Sequence, residues 1–123
     1  MAATYYYRAS GRLPLCLVTT GAGSANAITG VIAAWMDSIP LIVISGNEPS
    51  RYFGDRDAIR VHGTQGYDSA KVAAPFCKYT VQIRSAASVI TNLESARARS
   101  LQDSPGPVWV DIPKDIQNHA VQG

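Results

Sequence analysis

The chain has 123 residues, a formal net charge of +2 and a hydrophobic content of 46%, values that are ordinary for one folded domain and argue against disorder. Its basic residues are scattered and are not interleaved with aromatic ones, so nucleic-acid binding is not expected. No stretch is long enough to span a bilayer, and no basic region precedes an apolar run at the N-terminus. We therefore expect no membrane partner and a cytoplasmic location.

The cysteines and histidines do not have the spacing of a metal or redox site. Cys16 and Cys77 lie far apart, and His62 and His119 are isolated. We expect two reduced thiols that pack as small hydrophobic groups, and no bound metal.

The first predicted elements are a helix, a strand and a second helix. Residues 1–10 are typical of a helix end, which Gly11 stops because glycine adopts a left-handed conformation without a Cβ clash. Residues 13–19 are almost all apolar and predict a strand with both faces covered in a parallel sheet. Gly23 or Ser24 is expected to cap the second helix. Its apolar residues recur on one face, and they are Ile28, Val31, Ile32, Trp35 and Met36. A second face carries the small residues Ala27, Gly30, Ala33 and Ala34.

Pro40 opens a second buried strand, and the periodicity then disappears from residue 47 to residue 66. One helical turn is predicted near residues 57–61. A connection of this length inside a compact domain usually indicates a function or an interface. Its charged residues favour a solvated face over a phosphate clamp, and they are Arg51, Asp55, Arg56, Asp57 and Arg60.

The last predicted elements are two strands around a helix. Residues 78–83 and 108–112 predict the strands, Ser85 is expected to cap the helix, and residues from about 115 to 123 predict a tail or the start of a linker. The inward residues of the helix are expected to be Ala86, Val89, Ile90, Leu93, Ala96 and Leu101. Because strands alternate with helices, we predict an α/β fold with a parallel sheet flanked by helices, in a single domain over residues 1–123.

A glycine-containing turn at residues 21–26 lies between a predicted strand and a helix, at the sheet edge where open α/β folds bind ligands. A dinucleotide fingerprint matches only in part, because Asn26 stands where a third glycine is expected and the acid would have to be Glu48. A Walker phosphate loop is excluded, since no lysine is followed by serine or threonine. Two interpretations stay open: a tight structural turn, and a polar-edged site for a flat heterocycle that uses the Asn26 amide.

Several motifs in order along nearly the whole chain resemble one family. They are RASG at 8–11, LVTTGAGSAN at 17–26, DSIPL at 37–41, SGN at 45–47, QGYD at 65–68, PFCK at 75–78 and PGPVWVDIPKD at 105–115. The chain resembles the N-terminal pyrimidine-binding domain of thiamine diphosphate enzymes, and is similar to the acetolactate synthase group with its pyruvate oxidases and glyoxylate carboligase. The resemblance implies a truncated thiamine-diphosphate-binding fold, a Rossmann-like arrangement of three layers.

The resemblance also implies a cofactor, thiamine diphosphate, held between two domains or subunits. This domain would grip the aminopyrimidine ring, and a separate domain would bind the diphosphate through Mg²⁺. The small-residue face of the helix over residues 24–38 would then be a subunit contact. The implied cofactor-binding residues are Gly21, Ala22, Gly23 and Asn26 beside the aminopyrimidine, and Gln65 toward the reaction centre.

The chain departs from the family at several positions. The family usually has proline at Ala22 and glutamine at Asn47, and Tyr5 and Tyr7 are bulkier than the residues expected there. The family's activating glutamate lies upstream of the segment that matches Met1. We therefore expect no catalytic residue in this chain.

Other carboxylates are not expected to replace that glutamate. Glu48 and Asp55 are predicted to lie on the wrong loop, and Glu94 on a distant helix. Our main interpretation is a truncated pyrimidine-binding domain that does not catalyse alone.

Two alternatives remain. One is a subunit of a split enzyme, completed in trans by a diphosphate-binding domain. The other is a non-catalytic oligomerisation or interaction module. An uncovered sheet edge or apolar face predicts a homo-oligomer in which a neighbouring copy covers that surface.

Overall fold

A computed structural model of the chain describes residues 1–53 and 60–120. The strands are β1 (Leu15–Val18), β2 (Leu41–Asn47), β3 (Tyr79–Gln82) and β4 (Pro107–Pro113). The helices are α1 (Ala2–Ser10), α2 (Ala22–Met36), α3 (Ser69–Ala73), α4 (Val89–Leu101) and α5 (Lys114–Gln117). Short 3₁₀ turns cover Ser50–Tyr52, Ala74–Phe76 and Ala86–Ser88. Most of the helical turn predicted near residues 57–61, with Asp55, Arg56 and Asp57, lies outside the described residues.

The four strands form one parallel sheet in the order β1-β2-β4-β3. In register, Leu17 pairs with Ile44, and Ile44 pairs with Val110. The sheet confirms the predicted α/β class, and it brings the carboxyl ends of β1, β2 and β4 to a common edge.

Two hydrophobic clusters cover opposite faces of the sheet, so the domain has three layers. On one face, α2 and α3 pack on the inner strands around Trp109, which is fully buried. On the other face, α4 and α5 pack over Val108 and Val110. Burying a large apolar side chain stabilises a fold by about 1.5–3 kcal/mol, so these two clusters hold the inner strands β2 and β4 most firmly.

The edge strand β1 is not covered on both faces, and this expectation is wrong. Leu15 and Leu17 are 57% and 70% exposed, whereas Cys16 and Val18 pack against the cluster under α2. The helix α4 packs chiefly on β2, β3 and β4 and does not extend over the outer face of β1. A continuous apolar run predicts burial, but it does not tell which strand stands at the edge of the sheet.

The helix α2 begins earlier and faces differently than predicted. Its N-cap is Gly21 rather than Gly23 or Ser24, and the Ser24 hydroxyl donates to the Gly21 carbonyl at 3.0 Å. Ala34 is fully buried, whereas Trp35 and Met36 are exposed. Val31 is also buried, and Ala27 and Ile28 pack against the same cluster. Residues of both predicted faces therefore meet the sheet, and only the bulky residues at the end of the helix point outward.

The boundaries of α4 also differ from the prediction. A 3₁₀ turn follows Ser85, and the α-helix starts at Val89. Ala96 is buried in the cluster on the sheet, but Ile90 and Leu101 are partly exposed. The spacing of apolar residues does not show that the turn before Val89 is a 3₁₀ turn. This tighter winding rotates the face of α4 that packs on the sheet.

Helices α1 and α5 lie near the two ends of the described residues. As predicted, α1 ends at Gly11, which has φ 67°. Instead of the tail or linker start expected from about residue 115, α5 buries Ile116, and the Asp115 carboxylate accepts from Ser50 N and Oγ at 3.0 and 2.5 Å. These Ser50 hydrogen bonds lower the pKa of the Asp115 carboxyl.

Cys16 and Cys77 are both free thiols, as predicted, and both pack against the same hydrophobic cluster. Burial raises the pKa of the Cys77 thiol from its ordinary value of 9.0 to about 12. Within residues 1–53 and 60–120, no helix has the length and apolar content needed to cross a membrane.

Candidate functional site at the carboxyl edge of the sheet

An open cleft of about 930 Å³ lies where β1, β2 and β4 end. The carboxyl edge of a parallel sheet is where open α/β folds bind ligands, and ligand pockets measure roughly 300–1,000 Å³. The apolar lining consists of Leu17, Val18, Ile44 and Ile112. The polar lining consists of Thr19, Thr20, Asn47, Glu48, Thr64, Gln65, Lys114 and Gln117, with Gly46 between them.

The glycine turn allows close approach at two positions. Gly21 has φ 66° and ψ −131°, and a Cβ on it would lie 2.6 Å from Oε1 of Gln65. A Cβ on Gly23 would lie 2.6 Å from Cγ2 of Thr19. Gly21 therefore does more than let the chain turn, because it lets the Gln65 side chain lie directly on the turn.

The five predicted cofactor-binding residues are only partly brought together. Gln65 lines the cleft and touches Gly21, while Gly23 packs on a side chain at the end of β1. Ala22 and Asn26 lie in the first turns of α2 with exposed side chains, outside the cleft lining. Their roles toward a ligand stay predictions.

Asn47 ties the cleft together through four hydrogen bonds. Its Nδ2 donates to the Tyr67 carbonyl at 2.9 Å and to Oδ2 of Asp111 at 2.7 Å. Its Oδ1 accepts from Thr20 Oγ1 at 3.2 Å and from Glu48 N at 2.9 Å. One amide thus links the glycine turn, the end of β2, the following loop and β4. From the sequence, Asn47 belongs to the SGN motif and departs from the family's glutamine, and its four contacts were not predicted.

Beneath Asn47, the carboxylate of Asp111 is fully buried and accepts four hydrogen bonds. The donors are Ser45 Oγ at 2.6 Å, Ser69 Oγ at 2.9 Å, Asn47 Nδ2 at 2.7 Å and Gln82 Nε2 at 3.0 Å. Burying a charge is costly unless donors replace its water, and hydrogen bonds to ionised groups are the strong ones. The signal that sequence reasoning missed was a carboxylate inside an otherwise apolar strand.

Glu48 does not lie on the wrong loop, and this expectation is corrected. Its side chain lines the same cleft as Gln65, and its Oε1 accepts from Thr64 N at 3.1 Å and Gln65 N at 3.3 Å. The connection after β2 folds back on itself, so residues 17 positions apart meet. Loss of periodicity indicates a loop but does not tell where the loop returns.

The comparisons with known proteins agree on one family. Residues 1–73 match the family model described as "Thiamine pyrophosphate enzyme, N-terminal TPP binding domain". The chain is 37% identical to the acetolactate synthase large subunit of Haemophilus influenzae over 113 residues, which cover 92% of this chain and 19% of that protein. It is 39% identical to the acetolactate synthase isozyme 3 large subunit of Escherichia coli, with coverage of 92% and 19%.

A solved structure shows the same similarity. It is described as a thiamin diphosphate-dependent enzyme isolated from Mycobacterium smegmatis, and it superposes with a TM-score of 0.79 at 25% identity, over 93% of this chain and 21% of that one. The chain thus spans about a fifth of the length of the proteins that it matches.

Proposed function

The chain belongs to the thiamine pyrophosphate enzyme family, with its N-terminal TPP-binding domain over residues 1–73, and we propose that it forms the aminopyrimidine-facing half of a thiamine diphosphate site. The observation that carries this proposal is the Gln65 side chain, which lies on Gly21 at the carboxyl edge of the sheet. Both residues fall within the matched segment.

The described residues fit the aminopyrimidine end of the cofactor. Among them, no hydrogen bond engages the Gln65 side-chain amide, which offers both a donor and an acceptor to the edge of a heterocycle. Leu17, Ile44 and Ile112 offer an apolar surface to the ring. A flat ring with polar edges needs these two kinds of contact.

This fit assigns the two ends of the cofactor to different domains. When bound, thiamine diphosphate supplies a reactive thiazolium carbon. This chain's residues hold and orient the aminopyrimidine, while the diphosphate and Mg²⁺ are assigned to a second, diphosphate-binding domain. Because catalysis by a cofactor depends on the protein that orients it, we assign binding rather than autonomous turnover to this chain alone. The proposed location of the protein is the cytoplasm.

A homo-oligomer is part of the same proposal. The exposed Leu15 and Leu17 on β1 support it, because exposed strand edges and apolar patches recruit other chains. The exposed N-terminal end of α2, at Ala22 and Asn26, is the second candidate contact.

Calorimetric titration of the purified chain tests the proposal. If the chain holds the aminopyrimidine end, thiamine and thiamine diphosphate are expected to bind with affinities within about threefold of each other, since the diphosphate adds few contacts here. The Gln65→Ala variant is expected to weaken both about tenfold, as for the loss of a hydrogen-bonding group worth about 1.4 kcal/mol.

The matched control is Glu94→Ala, which removes an exposed charge on α4 far from the cleft. It is expected to bind both compounds as the parent does. Absence of heat with both compounds would overturn the proposal, and so would binding of the diphosphate that Gln65→Ala leaves unchanged.

A further inference from the structure

The loop over residues 62–66 is folded around the Glu48 side chain. His62 and Gly66 close the loop with two backbone hydrogen bonds of 3.0 and 2.8 Å. A Cβ on Gly63 would lie 2.7 Å from Cδ of Glu48, and one on Gly66 would lie 2.7 Å from its Cγ. The two glycines therefore leave room for one carboxylate side chain in the middle of the loop.

The Glu48 carboxylate is also the hydrogen-bond acceptor for the loop. Its Oε1 accepts the backbone N–H of Thr64 and of Gln65, and an ionised acceptor makes such bonds stronger than a neutral one does. The Gln65 that is held by its backbone is the residue whose side chain lies on Gly21. Through the backbone of Gln65, Glu48 therefore holds the residue whose side-chain amide faces the cleft.

The other end of this linkage is fixed in the sheet. Glu48 N donates to Oδ1 of Asn47, and Nδ2 of Asn47 donates to the buried Asp111 carboxylate. The carboxylate that holds the loop therefore extends from the anchored end of β2. Groups that are held on a rigid element keep their geometry better than groups that depend on a loop alone.

We propose that Glu48 is a positioning residue, which holds the loop over residues 62–66 so that the Gln65 amide faces the cleft in which the cofactor is proposed to bind. The identity of the ligand rests on the proposed function. The hydrogen bonds by which Glu48 holds the loop do not depend on it. Glu48 itself takes no part in a bond-making step. Its effect on a ligand passes through Gln65.

The first test measures amide hydrogen exchange at Thr64 and Gln65 in the ligand-free chain. In Glu48→Ala both amides lose their acceptor, and exchange is expected to become about tenfold faster. In Glu48→Gln the side-chain carbonyl oxygen still accepts, so the exchange rates are expected to lie between those of the parent chain and those of Glu48→Ala. Unchanged exchange at both amides in Glu48→Ala would overturn the proposal, and Glu94→Ala is the control for loss of charge.

The second test measures thiamine binding by calorimetry in a double-mutant cycle. Glu48→Ala is expected to weaken binding about tenfold, Glu48→Gln to recover most of the loss, and Glu48→Ala with Gln65→Ala to be no weaker than Gln65→Ala alone. Additive losses would show that Glu48 acts without Gln65, and the proposal would be wrong.

The two tests separate this proposal from the proposed function. Faster exchange in Glu48→Ala together with no thiamine binding by the parent chain would refute the cofactor assignment and leave the hold on the loop in place. Faster exchange with parent-like thiamine binding would refute the positioning role. Thermal unfolding of each variant confirms that the fold is intact before either result is interpreted.

Discussion

Asp111 and Asn47 show how a single buried carboxylate organises the floor of the cleft. Four donors surround Asp111, and Trp109 Nε1 donates in turn to Ser45 Oγ at 2.9 Å. The hydroxyl of Ser45 therefore accepts from the indole and donates to the carboxylate. In such a network each group fixes the orientation of the next, so the loss of one member leaves several unsatisfied.

The Asp111→Ala variant is expected to lower the free energy of unfolding by at least about 3 kcal/mol, because several buried donors lose their acceptor at once. Asp111→Asn is expected to lose less, since serine hydroxyls can rotate to accept from the new amide. Urea denaturation measures both. The control is Glu94→Ala, expected within about 0.5 kcal/mol of the parent; a parent-like Asp111→Ala would contradict the importance of the network.

The Gly21→Ala and Gly11→Ala variants form a matched pair at the residue scale. Both glycines have positive φ, 66° and 67°. Gly11, with ψ 5°, lies in the left-handed helical region, where a Cβ costs about 1–2 kcal/mol. Gly21, with ψ −131°, lies in a region that is occupied almost only by glycine, so its variant is strained at least as much. Only at Gly21 does the added Cβ meet another group, Oε1 of Gln65. Thiamine titration is expected to show weakened binding in Gly21→Ala and parent-like binding in Gly11→Ala. Equal binding by both variants would mean that the contact with Gln65 has no role.

At the scale of elements, β1 differs from the other strands because it stands at the edge and carries exposed leucines. Two alternate residues, Leu15 and Leu17, face away from the cluster under α2, while Cys16 and Val18 face it. The strand is held on one side by β2, and its other edge has no strand among the described elements. These properties make β1 the element most suited to a contact between copies.

Leu15→Lys is expected to reduce self-association, because a charged side chain on an edge strand opposes pairing with another chain. Sedimentation or light scattering across a concentration series measures the change. The control is Leu101→Lys on α4, where Leu101 is 41% exposed and no contact is proposed. A parent chain that stays monomeric at high concentration would contradict the homo-oligomer.

The sequence allowed prediction of elements whose signals are local. The strands β2 and β4 are apolar runs bounded by proline, and α1 ends at Gly11, where glycine takes positive φ. The exposure of Leu17 could not be predicted, since strand order depends on contacts between distant segments. The contact between Glu48 and Gln65 depends on how a non-periodic loop returns. Asn47 lies directly before Glu48 at the end of β2, and its hydrogen-bond partners come from four separate segments of the chain.

At the scale of the whole molecule, Cys77 makes the free energy of unfolding depend on alkaline pH. Burial raises the pKa of this thiol from 9.0 to about 12. Between these values the folded chain keeps a proton that the unfolded chain releases, so the free energy of unfolding falls as the pH rises from 9 toward 12. Below pH 9 both states are protonated, and the thiol contributes no pH dependence.

Removing this thiol is expected to flatten the alkaline decline. Urea denaturation at pH 8, 9, 10 and 11 is expected to show a smaller loss of stability in Cys77→Ala than in the parent. Cys16→Ala serves as the control, because it removes the other free thiol and leaves Cys77 in place. Identical slopes for the parent and Cys77→Ala would contradict the raised pKa of the Cys77 thiol.

Leu17 lies on the exposed side of β1 and also in the apolar wall of the cleft. A second copy that shields this leucine from water would also change the wall that a ligand meets. Assembly and ligand affinity would then be linked thermodynamically, and each would alter the other by the same factor. Saturating concentrations of the small molecule should accordingly shift the monomer–oligomer equilibrium, and dilution of the protein should shift the apparent dissociation constant.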